Sequence, residues 1–368
     1  VKVLASGGRS SAATARAVGR ARPIVAKPRF AAAFLRGGLR GGLRAGLLAG
    51  LLTGTARAND SAAELDAGGL VLRREPGIAL VSEDLSIARD RIDVSYLFRN
   101  QVQEARTVRI AFPLPLIDGR ELSFSALALP RPDSPNFVGF TVTVDGKPLE
   151  PELEERAFVG EREVTDLLRR HGLPLNPLRF EAISAAAKRI GAPEWAALVK
   201  AGLFPDVPDT PDRMTEGLWR GEAKFHWLQT FPPGQEVRIA HSYAPVTGFH
   251  LLEPKAASRA AYRATYCLDE GGLAAIRRLH AKAPDPGGSL RATVVPYIVT
   301  TARNWAAPIG RFTLTVDKGS PEAVVSFCRT DIRKTGPTTF RWEARDYVPD
   351  QDLRVLIVQP ASATPGTR

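Results

Sequence analysis

Residues 224–243 read KFHWLQTFPPGQEVRIAHSY. Two alternating runs, 224–231 and 236–243, flank Pro232-Pro233-Gly234-Gln235, four residues with turn chemistry. Side chains two apart share a face of a strand, so Phe225 and Trp227 fall on one side and His226 on the other. The stretch predicts a β-hairpin. If Phe231 pairs with Glu236, then His226 and His241 are direct cross-strand neighbours, with Cβ atoms about 4.5–5.5 Å apart. Two imidazoles at that spacing suit one Zn or Cu ion, which makes His226 and His241 the candidate metal ligands. No third ligand is identifiable, so two half-buried strand histidines with no cofactor are the plainer expectation.

Working outward, residues 92–98 alternate in the same way and place Ile92, Val94, Tyr96 and Phe98 on one face. Residues 107–112 form another strand, closed by Pro113 and Pro115. Residues 140–144 run into Asp145-Gly146, a hairpin signal, with 149–158 returning. The period then changes. Val164, Leu167 and Leu168 have helical spacing; Asn176-Pro177 caps a second helix carrying Phe180, Ile183, Ala187 and Ile190; Pro193 opens a third. Ser61-Ala62-Ala63-Glu64 has capping-box form and predicts a short helical turn. Residues 263–267 read as a strand, followed by an Asp269-capped helix with Leu273, Ile276 and Leu279 inward. Further strands are expected over 290–300, 310–317, 323–328, 338–344 and 353–359. The fold class is therefore mainly β with inserted helices (α+β). Two β-sandwich-like domains are expected: 59–250 with a helical insertion over 161–204, and 251–360, followed by a flexible tail over 361–368.

The chain has 368 residues and a formal net charge of +11. Eleven of its fifty basic side chains lie in residues 1–58, which hold no Asp or Glu. The remainder carries thirty-nine charges of each sign, so the basicity that would suggest nucleic acid belongs to one end. That end has the layout of a signal peptide. An uncharged run over 45–56 leads into Ala56-Arg57-Ala58, with cleavage expected between Ala58 and Asn59. The run is too short to span a bilayer. The chain begins with Val and has one Met, Met214, which points to a non-Met start codon or a start placed too far upstream. Forty Arg against ten Lys fits coding bias and weakens any inference from Arg to phosphate. Cys267 and Cys328 are the only cysteines, and in an oxidising compartment such a pair is most simply one disulfide.

Other candidate chemistry is sparse. Glu83-Asp84 are adjacent on a strand and point to opposite faces, which argues against a joint acid–base role. Asp206, Asp209 and Asp212 would share one edge of a polyproline helix, too far apart for one calcium ion. There is no Gly-x-Ser-x-Gly, His-Glu-x-x-His, Walker loop or Gly-x-Gly-x-x-Gly in the mature part, so no catalytic residue is assigned. Trp305 and Trp219 are the candidates for stacking on a sugar.

Tyr96-Leu97-Phe98-Arg99-Asn100, Ala111-Phe112-Pro113-Leu114-Pro115, the 140–146 hairpin, Leu173-Pro174-Leu175-Asn176-Pro177, Thr230-Phe231-Pro232-Pro233-Gly234 and the run from Asn304-Trp305 to Arg311-Phe312 follow one another in order. Together with Asn59-Asp60-Ser61 they resemble a bacterial exported family catalogued as domain of unknown function 4424. The resemblance implies export and carries no reaction or site. The expectation is thus an exported, periplasmic, non-catalytic β-rich binding or structural protein. Its partner would be an envelope protein or glycan, with no nucleic acid and no membrane span in the mature chain. A metal-binding protein or metal-dependent enzyme using His226 and His241, and a carbohydrate-binding module, are the alternatives.

Overall fold

Apolar stripes two residues apart can be buried only against another layer, and three sheets form among the described residues to do so. The computed structural model describes residues 61–66, 69–114, 116–120, 126–128, 130–131, 134–207, 213, 215–283 and 289–361. The expected leader with Ala58 and Asn59, Asp209, Asp212 and tail residues 362–368 lie outside the described residues.

The seven-stranded sheet comprises β1 (Ser61–Asp66), β2 (Gly69–Arg73), β5 (Arg106–Pro113), β6 (Ile117–Asp118), β10 (Glu152–Val159), β11 (Arg162–Glu163) and β12 (Arg220–Phe231). Its order is β11-β10-β12-β5-β1-β2, with β6 also on β12. The eight-stranded sheet contains β3 (Ile78–Ile87), β4 (Ile92–Asn100), β8 (Thr141–Val144), β9 (Lys147–Leu149), β13 (Glu236–Tyr243), β16 (Ile309–Asp317), β18 (Arg333–Lys334) and β19 (Thr339–Tyr347). Its order is β18-β19-β16-β3-β4-β13-β8-β9. The five-stranded sheet runs β17-β20-β15-β14-β7. These strands are β7 (Ala126–Ala128), β14 (Thr247–Leu252), β15 (Leu290–Tyr297), β17 (Val324–Ser326) and β20 (Leu353–Pro360).

The eight-stranded sheet is central, and both other sheets face it. Phe112 of β5 meets His241 and Tyr243 of β13, and Phe231 of β12 meets Phe98 of β4, at ring separations of 5.1–5.8 Å. Farther along the same face Tyr297 of β15 reaches Tyr96 of β4, hydroxyl to hydroxyl, at 3.0 Å. One continuous hydrophobic core results, spanning all three sheets.

The helices flank this core. Helices α1 (Thr165–Arg170), α2 (Phe180–Ala187) and α3 (Ala192–Lys200) close a separate cluster around Trp219. Helices α4 (Pro254–Ala257), α5 (Ala260–Tyr266) and α6 (Glu270–Ala281) cover the outer face of the five-stranded sheet at Leu290, Ala292, Leu356 and Val358. Asp269 caps α6 as expected, accepting from the Gly272 amide at 2.6 Å, and Leu273, Ile276 and Leu279 are buried.

Mainly-β architecture with added helices holds; four details differ. The 61–64 segment is strand β1, paired with β2 and β5, because an isolated helical turn is marginal whereas a strand gains two partners. The 263–267 segment ends helix α5, where the Tyr262 and Tyr266 rings meet one turn apart at 4.8 Å and Cys267 stops the helix with φ of 52°. The division expected at 250/251 runs through shared sheets: β3 lies between β4 and β16, and the described residues fall in one compact unit, 54–368. Finally, β12 and β13 do not form a hairpin. The 232–235 turn carries the chain from one sheet to the other, because the stripes Phe225-Trp227-Phe231 and Val237-Ile239-Tyr243 bury against each other only from facing layers.

Cys267 and Cys328 form the expected disulfide, linking the end of α5 to the segment after β17. The bond closes a loop with a sequence separation of 61, which the chain-entropy treatment values at about 4 kcal/mol. Reduction, or paired Cys→Ser substitution, is expected to lower the urea midpoint correspondingly without changing the far-UV circular dichroism at pH 7. An unchanged midpoint would show that the loop is already ordered in the unfolded chain.

Candidate functional site

The candidate metal ligands are separated by the topology. His226 pairs across β12 with Ala111 and Glu152, whereas His241 pairs with Val94 and Val142 in the other sheet. His226 looks out of its sheet. Its neighbour Trp227 points inward and meets His241 edge-on at 5.6 Å. His241 sits among Tyr96, Phe112 and Phe140 at 4.9–5.4 Å, and burial drives its pKa down to about 3. It is therefore a neutral core aromatic, and the shared ion is overturned. Among the described residues no group of three or more His, Cys, Asp or Glu is placed to hold a metal ion.

The sugar-stacking candidates are likewise in the core: Trp219 is 0% and Trp305 1% exposed. The Trp219 indole donates to the Leu175 carbonyl at 2.9 Å, and Trp305 packs on Phe98 at 4.7 Å.

Two surfaces carry polar chemistry instead. The first is the outer face of the eight-stranded sheet. Sheet register aligns Thr313, Asp84, Ser95, Ala240 and Thr143 in one row across five strands. The next row is Thr315, Ser86, Asp93, Ser242 and Thr141. Solvent-facing strand positions ordinarily carry long side chains that cover the sheet; here every one of the ten is Ser, Thr, Asp or Ala. The result is a trough of about 490 Å³. Its rim holds Arg341, beyond Thr315 in the second row. Each carboxylate in the floor has an arginine: Asp93 with Arg91 at 2.7 Å, Asp84 with Arg311 at 3.7 Å. Ser95 receives Arg238 at 3.3 Å.

The second surface is a cleft of about 870 Å³ beside β10 and α1, lined by His226 and by equal numbers of acidic and arginine side chains. Arg109 donates to His226 Nδ1 at 3.0 Å, so the neutral ring carries its proton on Nε2. Burial lowers the His226 pKa, and Arg109 adds to that while Glu152 opposes it. Glu163 is held down to about 2 by hydrogen bonds from Arg156 and then Thr165. Burial raises the Glu155 pKa against Arg169 and Arg179.

A family profile described as domain of unknown function DUF4424 matches residues 58–356. The chain belongs to the DUF4424 family. Among solved structures, it is similar to a Legionella pneumophila protein provisionally described as nutrient binding. The identity is 16%, over 82% of this chain and 72% of that one, with a TM-score of 0.40. It is also similar to an M1 zinc metallopeptidase from Deinococcus radiodurans, at 10% identity over 78% of this chain and 44% of that one, TM-score 0.24. The DUF4424 chain thus spans less than half of the peptidase. No curated protein matches it in sequence. At these scores the function must be argued from the chain's own side chains.

The trough was missed in the sequence because its residues come from strands that are distant in the chain. The available signal was the run of small polar side chains at alternate positions: Asp84 and Ser86, Asp93 and Ser95, Thr141 and Thr143, Thr313 and Thr315.

The burial of His241 sets a pH dependence. An unfolded imidazole titrates near 6.5 and this one near 3, so between those values only the unfolded chain binds the proton. Stability is complete above pH 6.5 and falls by up to about 1.4 kcal/mol per pH unit as the pH drops towards 3. His241→Phe is expected to flatten that part of the profile, read as urea midpoints at pH 7 and 4.5. Equal slopes in both proteins would assign the acid sensitivity elsewhere.

Proposed function

We propose that this DUF4424 protein is an exported binding protein that holds a hydroxyl-rich ligand, of the glycan or polyol class, in the trough of the eight-stranded sheet. The observation that carries this reading is the pair of five-residue rows in which no side chain exceeds Thr or Asp in size. Serine and threonine hydroxyls both donate and accept, Asp84 and Asp93 accept, and Arg341 at the rim donates. A ligand with several hydroxyl groups matches that mixture, at about 0.5–1.5 kcal/mol for each net hydrogen bond. No Phe, Tyr or Trp lines the trough, so recognition is by edge-on hydrogen bonding in place of ring stacking.

Export is supported by the charge layout of residues 1–58 and by the Cys267–Cys328 bond, which persists in oxidising compartments. Among the described residues no helix is long and apolar enough to cross a membrane. Cleavage between Ala58 and Asn59 predicts an intact mass for the envelope-fraction protein that starts at Asn59. Retention of Phe30 in that protein would refute the processing step.

The binding reading is tested by glycan-array screening of the mature protein followed by calorimetry. Ser95→Tyr places a strand-favouring ring at the centre of the trough, on the solvent side of β4, where stability should change by no more than about 0.5 kcal/mol. It should lower affinity for any captured glycan at least about tenfold through steric exclusion. A glycan bound equally well by wild type and variant, or no glycan bound at all, defeats the assignment.

A further inference from the structure

We propose that the open edge of β10 receives an extended basic segment of a partner protein as an added strand. The backbone itself supplies the first observation. Ala157 turns both its polar groups away from β12: its N–H meets Thr165 Oγ1 at 3.0 Å, and its carbonyl accepts from Val164 N–H at 2.8 Å. Backbone direction alternates along a strand, so Glu155 and Leu153 present their N–H and C=O groups to the same side. The Arg169 guanidinium donates to the Glu155 carbonyl at 3.5 Å from that side, which leaves the carbonyl's second lone pair and the Glu155 N–H for a strand. Strand β11 pairs with β10 only at Phe158 and Val159, and among the described residues no strand covers 152–157. Such an edge is a template for another strand.

The second observation is room. Many edges are protected by a helix or loop lying directly on them. Here α1 touches the edge through Thr165 at Ala157 and Arg169 at Glu155, and the cleft of about 870 Å³ has Leu153, Glu155 and Arg169 in its lining. A strand placed there would continue the line of β11.

Charge then selects the occupant. Glu152 and Glu154 project from the outer face at alternate positions, Glu152 75% exposed and 4.0 Å from Arg109, Glu154 sharing Lys224 at 3.5 Å. Residues opposite them on an added strand face carboxylates, so Lys is favoured and Asp or Glu disfavoured. On the opposite face the added strand meets Leu153 and Leu167, with Arg169 and Arg170 close by. There an apolar residue packs and a second cation is repelled. The edge therefore fits alternating apolar and basic residues, paired antiparallel so that the apolar residues stand opposite Glu155 and Leu153. This surface lies apart from the trough and involves none of its residues.

The probe is a capped, fluorescein-labelled peptide Val-Lys-Val-Lys, titrated into the mature protein with anisotropy as the readout. In the proposed register the valine amides face β10 and the lysine amides face away. Saturable binding is expected, weakened about tenfold or more by N-methylation of the valines and much less by N-methylation of the lysines. A Val-Glu-Val-Glu peptide should not bind. Glu155→Pro removes an edge N–H without touching the β12 ladder, a position where proline is tolerated, and should abolish binding with little change in melting temperature. No saturable binding into the millimolar range, equal loss from both methylated peptides, or equal binding of the acidic peptide each overturns the proposal. The peptide comparison uses the unaltered protein, so it remains decisive even if the proline variant misfolds.

Discussion

The parallel pairing of β3 with β16 is the constraint on which the architecture rests. Antiparallel neighbours such as β3 and β4 can be joined by a tight turn, but a parallel pair requires a long excursion. Here the excursion is most of the molecule: Arg311–Val316 comes to lie beside Ser82–Ile87 only after the chain has built the seven-stranded sheet and its helices. The contact is close. Strand β3 has a register shift between Leu80 and Ser82, and a Cβ at Gly310 would lie 2.7 Å from the Val81 carbonyl oxygen. Glycine at 310 lets β16 seat against that irregularity. Once seated, the eight-stranded sheet offers one long inner face, half covered by the seven-stranded sheet and half by the five-stranded one.

Much of this was legible locally. The alternation of Ile92, Val94, Tyr96 and Phe98, the Asp145-Gly146 turn and the Asp269 cap are encoded within a few residues, and each holds. Asp145 and Gly146 both take positive φ, 48° and 78°, as a tight hairpin turn requires. What failed were inferences that needed a partner. The period of 224–243 states that both segments are strands with an apolar face, but a hairpin and an arch between sheets share that pattern. The choice is made by β5 and β10 on one side and by β4 and β8 on the other, none of which is visible from the segment. Because the wrong choice puts His226 beside His241, the candidate metal site failed with it. The tryptophans failed for a related reason. A loop residue near a strand reads as exposed, whereas Trp305 fills the core against Phe98 and Ala306 donates to the Ile78 carbonyl at 2.9 Å.

The site and the core are two faces of the same backbone decision, and adjacent acids show how. Glu83 is fully buried and its neighbour Asp84 lines the trough. A carboxylate in an apolar interior is costly unless hydrogen-bonded, and the Tyr297 hydroxyl approaches Glu83 Oε1 at 3.2 Å. Burial, with Tyr96 and Glu83 beside it, raises the Tyr297 pKa well above its ordinary value, and the hydroxyl donates to Glu83. The Tyr96 and Tyr297 hydroxyls share a hydrogen bond of 3.0 Å. This relay ties β3 and β4 of the central sheet to β15 of the five-stranded one. It also discriminates register. A one-residue slip of β3 would send Asp84, one methylene shorter, towards Tyr297 and expel Glu83, and it would turn Leu85 and Ile87 out into the trough. The buried acid therefore does more than join two layers: by fixing which side of β3 is inward, it determines that the outward positions are Asp84 and Ser86. The small polar rows on the opposite face follow from that choice.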